Sequence, residues 1–115
     1  MANPTSETTV HTPLTPAVFH ILLALADGPL HGYAIMQAVD EAAGPHLSMG
    51  PGTIYGSIQR MEDSGLVQEA GTAGNGKRRL YGLTRVGRQA LEMESARLAR
   101  LTDMVREKGL APRQA

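Results

Sequence analysis

The chain has 115 residues, equal numbers of basic and acidic side chains (11 each), 42% hydrophobic residues and no cysteine. That length suits one domain with a real core, and the missing cysteine excludes disulfides, thiolate zinc sites and cysteine nucleophiles. No apolar run approaches the roughly 20 residues that span a bilayer, and no basic stretch followed by an apolar one opens the chain, so a cytoplasmic protein is expected.

Residues 1–13 are rich in Ser, Thr, Asn and Pro and read as a flexible arm. A first helix then has Thr15 as N-cap and Pro16 in its first position, where the missing N–H costs nothing. Val18, Phe19, Ile21, Leu22, Leu23 and Leu25 make it apolar nearly all round, so it should be buried on more than one side, and Gly28-Pro29 should end it. A second helix over 32–43 places Tyr33, Ile35, Met36 and Val39 on one face, with Gln37, Asp40 and Glu41 on the other; Gly44-Pro45 stops it. A third begins near Pro51, with Ile54, Ile58 and Met61 as its core stripe and Ser64-Gly65 at its end. Its opposite face holds Gly52, Thr53, Gly56, Gln59 and Arg60.

The period then changes. Residues 66–69 and 79–83 read as short strands joined by a glycine-rich turn over 71–76 that contains Asn75-Gly76, a hairpin signal. The final helix should start at the N-cap Thr84 and run to about Lys108, roughly 37 Å long. Residues 109–115 read as a frayed tail. At 100° per residue, Val86, Ala90, Leu91, Met93, Leu98, Leu101, Met104 and Val105 cover an arc of about 160°. One small protomer cannot cover so wide an arc, so a second copy should, as an isologous dimer through Leu91, Leu98, Leu101, Met104 and Val105. Glu94 and Arg97 fall within the arc at i and i+3 and are expected to form a weak ion pair at its rim, the alternative being a polar pair in the dimer groove that orients an effector or fixes helix register.

The fold class is therefore mainly α with a small β-hairpin: a winged helix-turn-helix over 14–83, followed by a dimerisation helix over 84–108. In that arrangement the third helix fits the DNA major groove and the wing reaches the backbone. Small Gly52 and Gly56 permit close approach, Thr53 and Ser57 offer hydroxyls to phosphate, and Gln59 and Arg60 can reach bases. Net charge is zero, but the stretch 77–88 carries Lys77, Arg78, Arg79, Arg85 and Arg88 and no acid.

The chain resembles the PadR family of bacterial transcriptional regulators. The resemblance is carried by Leu22 through Gly28-Pro29, His31-Gly32-Tyr33-Ala34-Ile35 and Leu47-Ser48-Met49-Gly50-Pro51-Gly52-Thr53-Ile54-Tyr55. Arg60-Met61-Glu62-Asp63-Ser64-Gly65-Leu66-Val67 and Arg78-Arg79-Leu80-Tyr81-Gly82-Leu83-Thr84-Arg85-Val86-Gly87 extend it. It implies a compact member whose single C-terminal helix dimerises and whose Tyr55 contacts DNA. The expected DNA-contacting set is Ser48, Gly52, Thr53, Tyr55, Gly56, Ser57, Gln59, Arg60, Lys77, Arg78 and Arg79. A ligand-responsive repressor on a palindromic operator is the function implied, and an effector would sit near Phe19, Met93, Glu94, Arg97, Leu98 and Leu101. Two departures stand out: Gly56 follows Tyr55 where relatives often carry Pro, and no aromatic residue lies in the C-terminal helix, where Leu98 replaces the expected ring.

Other chemistry is poorly supported. Residues 71–77 match the start of a phosphate-binding P-loop, but Arg78 replaces the Ser or Thr that binds Mg²⁺, and a strand follows instead of a helix. His11, His20, His31 and His46 lack metal-like spacing; His20 should pack in the first helix, and His31 should start the second with its ring near backbone groups or DNA phosphate. No metal, cofactor or catalytic residue is expected. The rival from another class is a winged-helix docking module that binds protein instead of DNA.

Overall fold

The computed structural model describes residues 13–44 and 49–111. The arm before Pro13, His11, His46 and Ser48 lie outside the described residues. Four helices and three strands follow in the order α1 (Pro16–Ala24), β1 (Leu30–His31), α2 (Gly32–Ala43), α3 (Pro51–Asp63), β2 (Val67–Ala73), β3 (Arg78–Leu83) and α4 (Arg85–Glu107).

Helix α1 is the centre of the packing and touches each of the other helices. Thr15 caps it by accepting from the Val18 N–H, and Pro16 occupies its first turn. Ile21, Leu22 and Leu25 meet Ile35 and Val39 of α2 and Ile54, Ile58 and Met61 of α3, and each is at most 2% exposed. Truncating any of these aliphatic side chains to Ala would cost about 2–5 kcal/mol. The helix itself stops at Ala24, short of Gly28-Pro29, and Leu25 and Ala26 bond back to carbonyls of its last turn.

The sheet corrects the expectation of a plain hairpin. It has three antiparallel strands in the order β1-β3-β2. Leu30 pairs with Tyr81 and His31 with Leu80, so the two residues before α2 form an edge strand. Such a strand is too short to show alternation. Strand β2 also runs to Ala73, into the stretch expected as turn. An irregularity between Glu69 and Thr72 takes up one extra residue on β2, and pairing resumes at Thr72↔Arg79 and Ala73↔Arg78.

Helix α3, the β2–β3 hairpin and α4 meet at Leu66. Gly65, at φ +84°, closes α3 with a Schellman motif: the Leu66 N–H donates to Met61 O and the Gly65 N–H to Glu62 O. The Leu66 carbonyl in turn accepts from the Thr84 N–H at 3.1 Å. The Thr84 hydroxyl contacts the Gly65 and Leu66 carbonyls and accepts from the Gly87 N–H at 2.9 Å, capping α4. A Cβ on Gly87 would fall inside the Leu66 carbonyl oxygen, a backbone atom that cannot swing aside. At the far end, Gly109 and Leu110 bond back to Arg106 and Val105, so they close α4 instead of fraying.

Gly87→Ala is therefore expected to destabilise the fold by about 2–3 kcal/mol despite the better helix propensity of Ala. Gly52→Ala, where nothing lies within 4 Å of the new methyl, should leave stability unchanged or raise it by up to about 1 kcal/mol. Urea denaturation of both variants checks the contrast.

Candidate nucleic-acid interface

The core stripe of α3 fixes what its other face presents. With Ile54, Ile58 and Met61 buried, Gly52, Thr53, Tyr55, Gln59 and Arg60 are exposed and Gly56 is half-buried. Ser57 is a correction: it faces inward at 3% exposure, and Arg60 Nη2 donates to its hydroxyl at 3.2 Å. It cannot offer that hydroxyl to a phosphate without rearrangement. Arg60 lies back over Gly56, where an added Cβ would meet its Nη1 at 3.4 Å. Gln59 donates to Asp63 one turn on.

Tyr55 is 45% exposed, yet its ring is held firmly from below. A Cβ on Gly32 would lie 2.5 Å from its Cε1, so the ring uses the space a side chain at 32 would fill. Glycine at 32 and tyrosine at 55 are thus one packing unit across α2 and α3. Beside them opens a cavity of about 320 Å³ lined by His31, Tyr33, Tyr55, Arg78, Arg79 and Tyr81. Gly32 and Tyr33 were not among the DNA-contacting residues expected from the sequence, and of His31 it was expected only that its ring lie near backbone groups or DNA phosphate. The legible signal was His31 standing before Gly32 as a helix N-cap, a role the structure shows: Nδ1 accepts from the Ala34 N–H at 3.2 Å.

The basic stretch divides by position. Lys77 and Arg78 are exposed at the wing, beyond a turn in which Gly74, Asn75 and Gly76 all take positive φ. Arg78 Nη1 lies 3.2 Å from His31 Nε2. Arg79 is committed elsewhere, with Nε 3.2 Å from Glu69 Oε2 across the hairpin. Tyr81 first and Glu69 second raise its pKa above the ordinary value. Arg88 donates to the Ala26 carbonyl at 2.8 Å and so braces the turn after α1.

On α4, two expectations change. Leu91, expected at the dimer surface, is 5% exposed and belongs to the protomer's own core. Glu94, expected at a rim, is 2% exposed. Its Oε1 and Oε2 each accept from Arg97 at 2.8 Å, and Oε2 also accepts from the Leu14 N–H at 3.1 Å. The carboxylate therefore anchors the chain just ahead of α1 to the long helix. The Arg97 hydrogen bonds hold its pKa below the ordinary carboxylate value against the opposing effect of burial, and the Leu14 N–H helps. Met93, Leu101, Met104 and Val105 remain exposed, Leu98 is half-buried, and Phe19 is half-buried on α1.

The family model for the transcriptional regulator PadR-like family matches residues 21–93, which span α1 to the middle of α4. The chain belongs to the PadR-like family. Members of this family are transcription regulators, not enzymes, and this PadR-like chain has their winged-helix fold. A PadR family regulator from Clostridium difficile superposes with a TM-score of 0.67 at 21% identity, covering 79% of this chain and 95% of that one. Bacillus subtilis PadR in complex with operator DNA superposes at 0.60 with 29% identity, over 70% of this chain and 45% of that one. A 37.1 kDa protein in a Streptomyces fradiae transposon is 45% identical over 87 residues, 76% of this chain. The chain spans only 24% of that relative's length. No described helix is long and apolar enough to cross a membrane.

The buried carboxylate gives the PadR-like fold a defined acid response. Because the folded-state pKa of Glu94 is depressed, its stabilisation is complete above the unfolded carboxylate value of about 4.3 and is lost as pH falls through the lower folded value. Thermal melts from pH 7 to 3 should show the wild type losing stability more steeply below about pH 4.5 than Glu94→Gln. Parallel curves for the two proteins would contradict this role.

Proposed function

We propose that the chain binds DNA as a homodimer and regulates transcription as a ligand-responsive repressor on a palindromic operator. The observation that carries DNA binding is the single surface made by the exposed face of α3, the Tyr55 ring seated on Gly32, and the wing residues Lys77 and Arg78. A helix of this width fits the major groove while the wing meets the flanking backbone. The operator complex of the Bacillus subtilis relative supports the same use of the fold. Within this reading Gly52, Thr53, Gln59 and Arg60 face the groove, while Arg79 contributes less than the sequence suggests.

Dimerisation is supported by α4. Met93, Leu101, Met104, Val105 and Leu110 are 39–69% exposed along this one helix and its cap, and Leu23 on α1 is 44% exposed. Isologous pairing of two such helices would bury them and set two recognition helices about one DNA turn apart. An effector would act by favouring one spacing of those helices over another. A shallow recess of about 370 Å³ lined by Met93, Ala96, Arg97 and Arg100 supports a place for it; Leu98, Leu101 and Phe19, also expected around an effector, are not among its lining residues. Glu94 is already satisfied, so Arg97 and Arg100 are the polar contacts such a ligand would meet.

Anisotropy of a labelled duplex at several salt concentrations tests DNA binding. A dimer using six to eight basic contacts should give a log–log slope of about −5 to −7. Arg78→Ala and Lys77→Ala should flatten it by about one or two per dimer, and Arg79→Ala by less. Absence of binding at low salt would favour the protein-docking alternative. Sedimentation of Leu101→Asp/Met104→Asp should show a folded monomer where the wild type sediments as a dimer.

A further inference from the structure

The His31 ring stands between two hydrogen-bond donors. The Ala34 N–H donates to Nδ1 at 3.2 Å, and Arg78 Nη1 lies 3.2 Å from Nε2. A guanidinium has donors only, and a neutral imidazole has one acceptor nitrogen. His31 therefore cannot accept from both. If Nδ1 caps α2, the ring proton sits on Nε2 and faces the Arg78 N–H. If Nε2 accepts from Arg78, an Nδ1–H faces the Ala34 N–H and the cap is lost. The wing arginine and the helix cap compete for one lone pair.

An anion between the two side chains removes the conflict. Its oxygens can accept from Nε2–H and from Arg78 together, while Nδ1 keeps its cap. Space for it exists: the cavity of about 320 Å³ borders both groups and is flanked by Tyr33 and Tyr55. Among the described residues every one that lines it is basic, aromatic or glycine, and none is a carboxylate. Glu69, the acid nearest in the sheet, is bonded to Arg79. Charge-assisted pairs of donors of this kind suit a phosphate oxygen.

We infer that this cavity seats one phosphodiester group of the DNA backbone, with His31 Nε2–H and Arg78 as its paired donors. The inference rests on the DNA-binding reading above. Its consequence is a linkage between wing and recognition helix. When Arg78 turns to the phosphate, His31 returns its lone pair to the first turn of α2, where Gly32 carries the Tyr55 ring. Gripping the backbone and seating the recognition tyrosine then become one event.

The test uses the full chain, labelled with ¹⁵N, titrated first with inorganic phosphate at constant ionic strength and then with a non-specific duplex. The His31 ring nitrogens and the Ala34 amide should shift saturably with both. His31→Asn retains a capping acceptor but lacks the imidazole Nε2–H. It should keep the wild-type Tm and salt slope while binding the duplex about five- to tenfold more weakly. Arg78→Ala should weaken binding and lower the slope, and the double variant should lose less than the sum of the two. Duplex binding with His31 and Ala34 unmoved, or with His31→Asn at wild-type affinity, overturns this inference and leaves the DNA reading intact. Shifts with phosphate but not with bound duplex overturn it too, since the anion site would then lie off the DNA path. No duplex binding at low salt overturns the DNA reading itself.

Discussion

The Leu66 peptide is the joint on which the molecule turns. Its N–H closes α3, its carbonyl receives the Thr84 N–H, and the Gly87 backbone presses against that same oxygen. Three parts of the fold leave from this point, and the proposed function uses each: α3 for the groove, the β2–β3 hairpin for the DNA backbone, and α4 for a second copy. Short backbone hydrogen bonds and a glycine contact leave little freedom for rotation between them. A displacement of α4 must therefore be felt at the start of the wing and the end of α3. That rigidity is what a regulator of this shape needs if a change between paired α4 helices is to alter the separation of two DNA-reading surfaces.

A second tie runs from α4 in the other direction. Glu94 reaches past Arg97 to the backbone of Leu14, so the long helix holds the entry to α1 as well. Helix α1 in turn packs on α2 and α3. The chain is thereby closed into a loop of contacts in which α4 touches both ends of the winged domain. Arg97 belongs to this tie and also borders the recess on the exposed side of α4. A ligand that drew Arg97 outward would leave the Glu94 carboxylate with weaker neutralisation and would bear on the seating of α1.

Charge was the least reliable guide taken from the sequence alone. Five basic residues in 77–88 suggest one positive surface. In the fold they take different tasks, because a strand alternates its side chains and a hairpin brings in partners from the other strand. Arg79 meets Glu69 across the sheet, Arg88 braces a carbonyl near α1, and only Lys77 and Arg78 extend at the wing. The same reasoning explains Ser57. One residue's rotation about the helix axis separates it from the half-buried Gly56, and its hydroxyl ends inside under Arg60. Helical periodicity locates a face only to within about one side chain, and a small polar residue at the boundary can fall either way.

The helices, their caps and the hairpin were legible in the sequence because they rest on local chemistry. Thr15-Pro16, Gly44, Pro51, Ser64-Gly65 and Thr84 each cap or end a helix through atoms a few residues away, and apolar period alone selects the buried stripe of α3 and, apart from Tyr33, which is exposed, the apolar face of α2. The family resemblance was legible for a related reason, since its motifs lie at these same caps and turns. What only the tertiary structure decided are relations between residues far apart in the chain. The strand Leu30–His31 exists because β3 lies beside it. Tyr55 is placed by the absence of a side chain at Gly32, His31 meets Arg78 across 47 positions, and Glu94 is buried by a segment 80 positions away. No local pattern encodes such pairings, because the energy that fixes them appears only once packing has brought both partners out of water.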